Sequence, residues 1–296
     1  MISMKRWKKL WIGVIVSMMV FAIQGCGSKD TTDKAEEKGD GLKSALQKSE
    51  ALSGYQIDAE RSGKDLHLSG STFSIEDVAV QTTTMVQKQD KTQYVYMKSK
   101  MEGNLQMSSL SVYRDKQQDV INMMPLHHPE QQLFQSYGKK DKTTYRSDFQ
   151  DLLDYVDDGK YASYFQVSEK KEDKNTYYTL TCIDTKGWMD AVVKEGKKKD
   201  PSYDPLNYQG QKLEKKEYKD CSMELVVGDD GFIHQYVHQL RIDYGDNLMS
   251  DMKTTRIYSK WGESLLNTSF ADELCDKAGN NEYRQDDTID MEKLLS

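Results

Sequence analysis

The chain has 296 residues, 30% of them charged, with 48 acidic against 41 basic side chains and a net charge of −7. That balance argues against nucleic-acid binding, which needs clustered Lys and Arg to neutralise phosphates. Eighteen Tyr against four Pro point to a sheet protein rather than a disordered one.

Lys5, Arg6, Lys8 and Lys9 precede an uncharged run from Leu10 to Ile23, which is 23 − 10 + 1 = 14 residues. A spanning helix wants ~20 apolar residues and a signal-peptide core ~7–15. The run fits the second. Ile23-Gln24-Gly25-Cys26 follows at once and resembles the bacterial lipobox. The resemblance implies cleavage between Gly25 and Cys26 and a diacylglycerol on the Cys26 thiol. Residues 1–25 are then a lipoprotein signal peptide, and the protein is expected to be extracytoplasmic, anchored to the cell membrane through Cys26. Residues 26–41 are rich in Gly, Ser, Thr, Asp, Glu and Lys. They read as a tether, because such side chains bury too little area to offset ordering entropy. The expected folded domain is 42–296.

The domain opens on an apolar stripe of Leu42, Ala45, Leu46 and Leu52, a short helix stopped by Gly54. Tyr55–Arg61 alternates as a strand, followed by β-rich stretches at Leu66–Ile75, Val78–Lys88, Gln93–Lys100, Leu105–Arg114 and Asp119–Met123. Their short polar separators favour antiparallel neighbours. His127-His128, between Pro125 and Pro129, reads as a loop. A helical region starts at Ser147, with Leu152, Leu153, Val156 and Tyr161 on its apolar side. Its acidic members Asp148, Asp151, Asp154, Asp157 and Asp158 are expected to form a solvated face. Thr176–Asp184 returns to strand, Lys186–Glu195 to helix, and 197–211 to a surface excursion. Tyr218–Val227, the turn at Gly228–Gly231 and Phe232–Tyr244 predict a hairpin. Thr254–Trp261 is the last expected strand, followed by an acidic tail. Helix, meander, helices and meander in that order predict an α+β fold.

The opening helix, the long meander, the hairpin MELVVGDDGFIHQYVHQLRIDYG and the following RIYSKWGE resemble the LolA/LppX-like group of Gram-positive lipoproteins. The resemblance implies a strongly curved antiparallel half-barrel packed against a few helices, and a lipid or other hydrophobic ligand on its sheet. No functional residue carries over with it.

Chemical signatures are sparse. His234, Tyr236, His238 and Leu240 share one face of their strand and are candidate lining residues if the sheet curves around a cavity. No Cys or carboxylate pattern completes a metal site around the histidines, and no cofactor is expected. Cys182 and Cys221 are both expected to face inward. They are either a disulfide, closing a loop worth ~4 kcal/mol, or two buried thiols. No G-x-S-x-G, HExxH or phosphate-cradling loop occurs, so an enzyme is not expected. Two readings remain: a tethered module with a lipid in its concave sheet, or an interaction protein with a filled core that contacts another envelope protein.

Overall fold

The computed structural model describes residues 40–101, 106–114, 117–125, 131–136, 145–279 and 288–295. The expected signal peptide with Gly25, the expected lipidation site Cys26, the expected tether up to residue 39 and the expected loop at His127-His128 lie outside them. The first meander comprises β1 (Gly54–Ser69), β2 (Thr72–Gln89), β3 (Thr92–Met101), β4 (Gln106–Arg114), β5 (Gln117–Pro125) and β6 (Gln131–Ser136). The second comprises β7 (Phe165–Glu172), β8 (Asn175–Cys182), β11 (Glu217–Val227), β12 (Ile233–Asp243) and β13 (Met249–Ser259). A two-residue ribbon, β9 (Asn207–Tyr208) and β10 (Gln211–Lys212), lies in the excursion between β8 and β11. Pairing of β1 with β13 joins the meanders, Gln56 standing opposite Ser259. β14 (Thr288–Asp290) returns to the far edge and pairs with β6. The product is one antiparallel sheet of twelve strands, open at β14 and β7. With its few helices it is an α+β half-barrel.

Two glycines account for the longest hairpin. Expected strand ends near Arg61 and Ile75 are instead interior, and the tip falls between Ser69 and Thr72. Gly70 turns the chain at φ 67°, a value glycine adopts without cost. Gly63 carries the strand through at φ 130°, where a Cβ would meet the Asp251 carbonyl. A glycine inside an alternating run reads as a break, and here it is a close approach of two backbones. Similarly, β13 begins earlier than expected, at Met249, because Gly245, Asp246 and Asn247 complete a tight positive-φ turn.

The helices divide between the two faces. α1 (Asp40–Glu50) and α2 (Asp148–Leu153) bury Leu42, Leu46, Phe149 and Leu152 against Tyr55, Met223, Leu225 and Tyr258 on the inner face. α3 (Thr185–Lys199) adds Trp188 to the same cluster. Asp184 caps α3, accepting from Gly187 N at 2.8 Å. Each fully buried large side chain contributes roughly 1.5–3 kcal/mol.

The expected acidic tail is in fact α4 (Thr268–Gly279), with α5 (Met291–Leu294) after it. Phe270, Ala271, Leu274 and Cys275 of α4 recur at helical spacing and cover Tyr94, Tyr96, Leu110 and Val112. Those sheet residues point outward: Val86 pairs with inward Tyr55, so its neighbour Met85 and the Tyr96 opposite Met85 take the other face. The charge count of the segment concealed this stripe.

Candidate functional site

α2 is only six residues long, yet three contacts fix its pose. Ser147 caps it, accepting from Gln150 N at 3.1 Å. Phe149 and Leu152, one turn apart, are both buried. Phe149 packs on Tyr258 and Tyr55, at centroid distances of 4.9 and 5.3 Å. The row Asp148, Asp151 and Asp154 is thereby held beside the sheet.

This corrects the solvated-face expectation. Asp148, Asp151 and Asp154 have side chains only 20–26% exposed, and each meets a cation. Arg146 reaches Asp151 through Nε at 3.0 Å and Asp154 through Nη2 at 2.8 Å. Lys160 joins Asp154 at 3.0 Å. Arg256, from β13, places Nε 3.2 Å from Asp148 Oδ2, to which Tyr258 also donates at 3.0 Å. Asp157 and Asp158 stay at the surface and pair with Lys43. Acidic residues turn inward here because cations compensate them, Arg146 and Lys160 from nearby in sequence and Arg256 from the distant strand β13.

Sheet register supplies the opposite wall. Tyr236 stands across from Arg256, and His238 from Thr254. The Arg256 guanidinium lies 5.2 Å from the Tyr236 ring centroid, a cation–π contact. Tyr236 and His238 stack at 6.1 Å with their planes 14° apart. His238 is buried, with Nε2 3.5 Å from Cys221 Sγ. Between these walls, among Asp148, Asp151, Tyr155, Met223, His238 and Arg256, is a chamber of about 50 Å³.

The chamber perturbs its titrating groups. Burial, assisted by Arg256 and Arg61, pushes the His238 imidazole down to about 3, so it is neutral. Burial raises the Asp151 carboxyl to about 7, only partly opposed by Arg146. Lys199, at the end of α3, is lowered by burial and then by Lys160 and Arg146. Arg256 itself is raised: Asp148 and the tyrosines Tyr258 and Tyr236 outweigh its burial.

Of the four candidate lining residues, Tyr236 and His238 face the chamber. His234 sits at the hairpin mouth, 2.9 Å from Asp230 and beside Trp261. Leu240 packs between the inner cluster and a small cluster around Leu66 and Ile242. Asp148, Asp151, Asp154 and Arg256 were missed as site residues. The first three offered a signal in their three-residue spacing, whereas Arg256 lies in an ordinary strand and offered none. Cys182 and Cys221 stand as thiols. Thr181 pairs with Ser222, so the next position along the ladder sets Cys182 opposite Cys221. Burial raises both thiols, Cys221 the more strongly.

A second, larger concavity lies on the outer face, an open groove of about 480 Å³ among Asp58, Glu60, Thr83, Lys98, Lys100 and Ile257. Most of its lining residues are polar or charged by type, although their aliphatic portions supply much of the exposed wall. Among the described residues no group of three His, Cys, Asp or Glu side chains is placed to hold a metal ion, and no helix is long and apolar enough to cross a membrane.

No protein-family model matches the sequence, and no curated protein matches it. Among solved structures, Rv2717c from M. tuberculosis is 7% identical and aligns over 73% of this chain and 98% of its own, with a TM-score of 0.24. A beta-barrel-like protein of the domain of unknown function DUF1849 from Brucella abortus is 10% identical. It aligns over 71% of this chain and 99% of its own, also with a TM-score of 0.24. Overlaps this low leave the fold to be read from the chain's own strands.

Proposed function

We propose that the chain is a membrane-tethered, extracytoplasmic binding protein of LolA/LppX-like build, without enzymatic activity, that engages another envelope component through polar contacts. The observation that carries this reading is the filled inner face. Tyr55, Phe149, Leu180, Met223 and Leu225 are each less than 2% exposed there. The chamber beside them, at about 50 Å³, falls well short of the several hundred Å³ that ligand pockets usually provide. An acyl chain would also strip solvent from Asp148, Asp151 and Arg256 and leave Arg256 Nη1 without an acceptor, at a cost of several kcal/mol. These features favour an interaction protein with a filled core over a lipid carrier. The lipobox supports the tether.

The test is to express the full chain and its Cys26→Ser variant in a bacterial host fed labelled palmitate. Native mass spectrometry in mild detergent then counts the lipids. The expected result is label on the wild-type chain alone, with a mass that accounts for the covalent anchor and nothing more. A further, non-covalent lipid at one per chain would overturn the filled-core reading; label on Cys26→Ser would overturn the assigned anchor.

A further inference from the structure

Arg256 has two obligations met and one open. Its Nε faces Asp148 at 3.2 Å and its plane lies over Tyr236. Its Nη1 is shut from solvent and has no acceptor. A buried guanidinium nitrogen without an acceptor costs on the order of 1–3 kcal/mol or more. The same side chain is a wall of the chamber, whose volume of about 50 Å³ has room for about four water-sized groups.

The surrounding charges are also unequal. Arg146, Lys160 and Arg256 bring three cations against Asp148, Asp151 and Asp154. Asp151 keeps its proton up to about 7 because it is buried. His238, on the sheet side, is neutral and adds no charge. Below about pH 7, where Asp151 is protonated, this group of ion pairs is therefore short of one negative charge, and Lys199 is already pushed down by burial and then by Lys160 and Arg146.

We infer that the chamber is a binding site for a small carboxylate, with an oxygen of the anion accepting from Arg256 Nη1 and its short apolar end against Met223 and Leu152. A carboxylate with one further carbon has four non-hydrogen atoms, which the chamber accommodates. Charge-assisted N–H···O⁻ bonds are the strong ones in a dry site. An ammonium ligand would meet, at the unpartnered Arg256 Nη1, a donor like itself and no acceptor. A phosphate or sulfate would bring more charge than the deficit of one. A free acid and the carboxyl end of a peptide share this chemistry at Arg256. The inference goes beyond the tethered-binding reading and does not depend on the anchor or on lipid content.

The experiment titrates the full chain, purified in nonionic detergent, with sodium acetate and sodium propionate at constant ionic strength. Sodium chloride and methylammonium chloride serve as controls. The expected result is a saturable, one-site thermal shift with the two carboxylates alone. Arg256→Gln should weaken binding about tenfold or more, the loss of a charged donor. Asp151→Asn keeps Arg256 in place and guards against a folding defect in the first variant. It should bind acetate as well at about pH 8 as at about pH 6, whereas the wild type weakens as Asp151 ionises across that interval. Competition by an acetylated dipeptide with a free carboxyl terminus would support a peptide end as the source. Competition by the small acids alone would support a free metabolite. No saturable shift, or an equal one with chloride or in a folded Arg256→Gln protein, means a chamber filled by water alone and overturns the proposal.

Discussion

Asp151 and His238 line one chamber from opposite sides and give stability opposite dependences on pH. Asp151 holds its proton to about 7 in the folded chain, against about 3.9 for a free side chain. Its contribution is therefore present below the unfolded value and is lost as pH rises from about 4 through 7. His238 is lowered to about 3, so its contribution is present above its unfolded value of about 6.5 and is lost as pH falls below it. Each pH unit of either shift is worth roughly 1.4 kcal/mol. Between about pH 4 and 6.5 the two slopes cancel, and above that only the Asp151 loss continues. Thermal melts of Asp151→Asn should accordingly match wild type near pH 4 and exceed it increasingly up to about pH 8. Equal melting temperatures at the upper end would mean that Asp151 is ionised in the fold. The alternation of β12 already put Tyr236 and His238 on one face. It could not show that this face meets Asp148 and Asp151, because the contact spans some ninety residues and depends on cations that compensate the buried acids.

At the scale of single elements, strand identity was largely legible and strand ends were not. The alternation Tyr55, Ile57, Ala59 is the inward row of β1, and the turn at Gly228–Gly231 is where composition put it. The β1–β2 tip was misplaced because Gly63 looks like punctuation. Gly63→Val should destabilise by on the order of 1–3 kcal/mol, since φ 130° and the Asp251 carbonyl exclude a Cβ. Chemical denaturation of the variant against wild type checks this, and an unchanged midpoint would mean that the strand relaxes around the side chain. β8 and β11 carry a second consequence. With Cys182 opposite Cys221 by continuation of the ladder, oxidation of the purified protein by a disulfide reagent should link these two and spare Cys275, which lies in the separate cluster on the other face. The new loop would add up to about 4 kcal/mol. Peptide mapping after alkylation identifies the pair; a Cys275 linkage in its place would contradict the register.

At the scale of the whole molecule, composition and element order were enough for an antiparallel α+β sheet. They did not place α4, because an acidic segment can still carry one apolar stripe at helical spacing. Nor did they show which strands lie at the middle of the sheet. Strand order follows from pairings between the ends of the chain, and local pattern holds no record of those.

The single seam between the two meanders also bears on how the protein folds. Every strand contact within a meander joins neighbours along the chain or, at β8–β11, a modest excursion. The seam instead joins Gln56 to Ser259, 203 residues apart (259 minus 56). Closing a loop of that length costs several kcal/mol of chain entropy before any seam contact forms. Each meander is expected to collapse first and the seam to zip last, late in the rate-limiting step. Truncating Ile57 or Tyr258, which face each other across the seam, should then speed unfolding far more than it slows refolding. Stopped-flow kinetics of the two variants would read that asymmetry. Refolding slowed in proportion to the lost stability would instead put the seam in the nucleus.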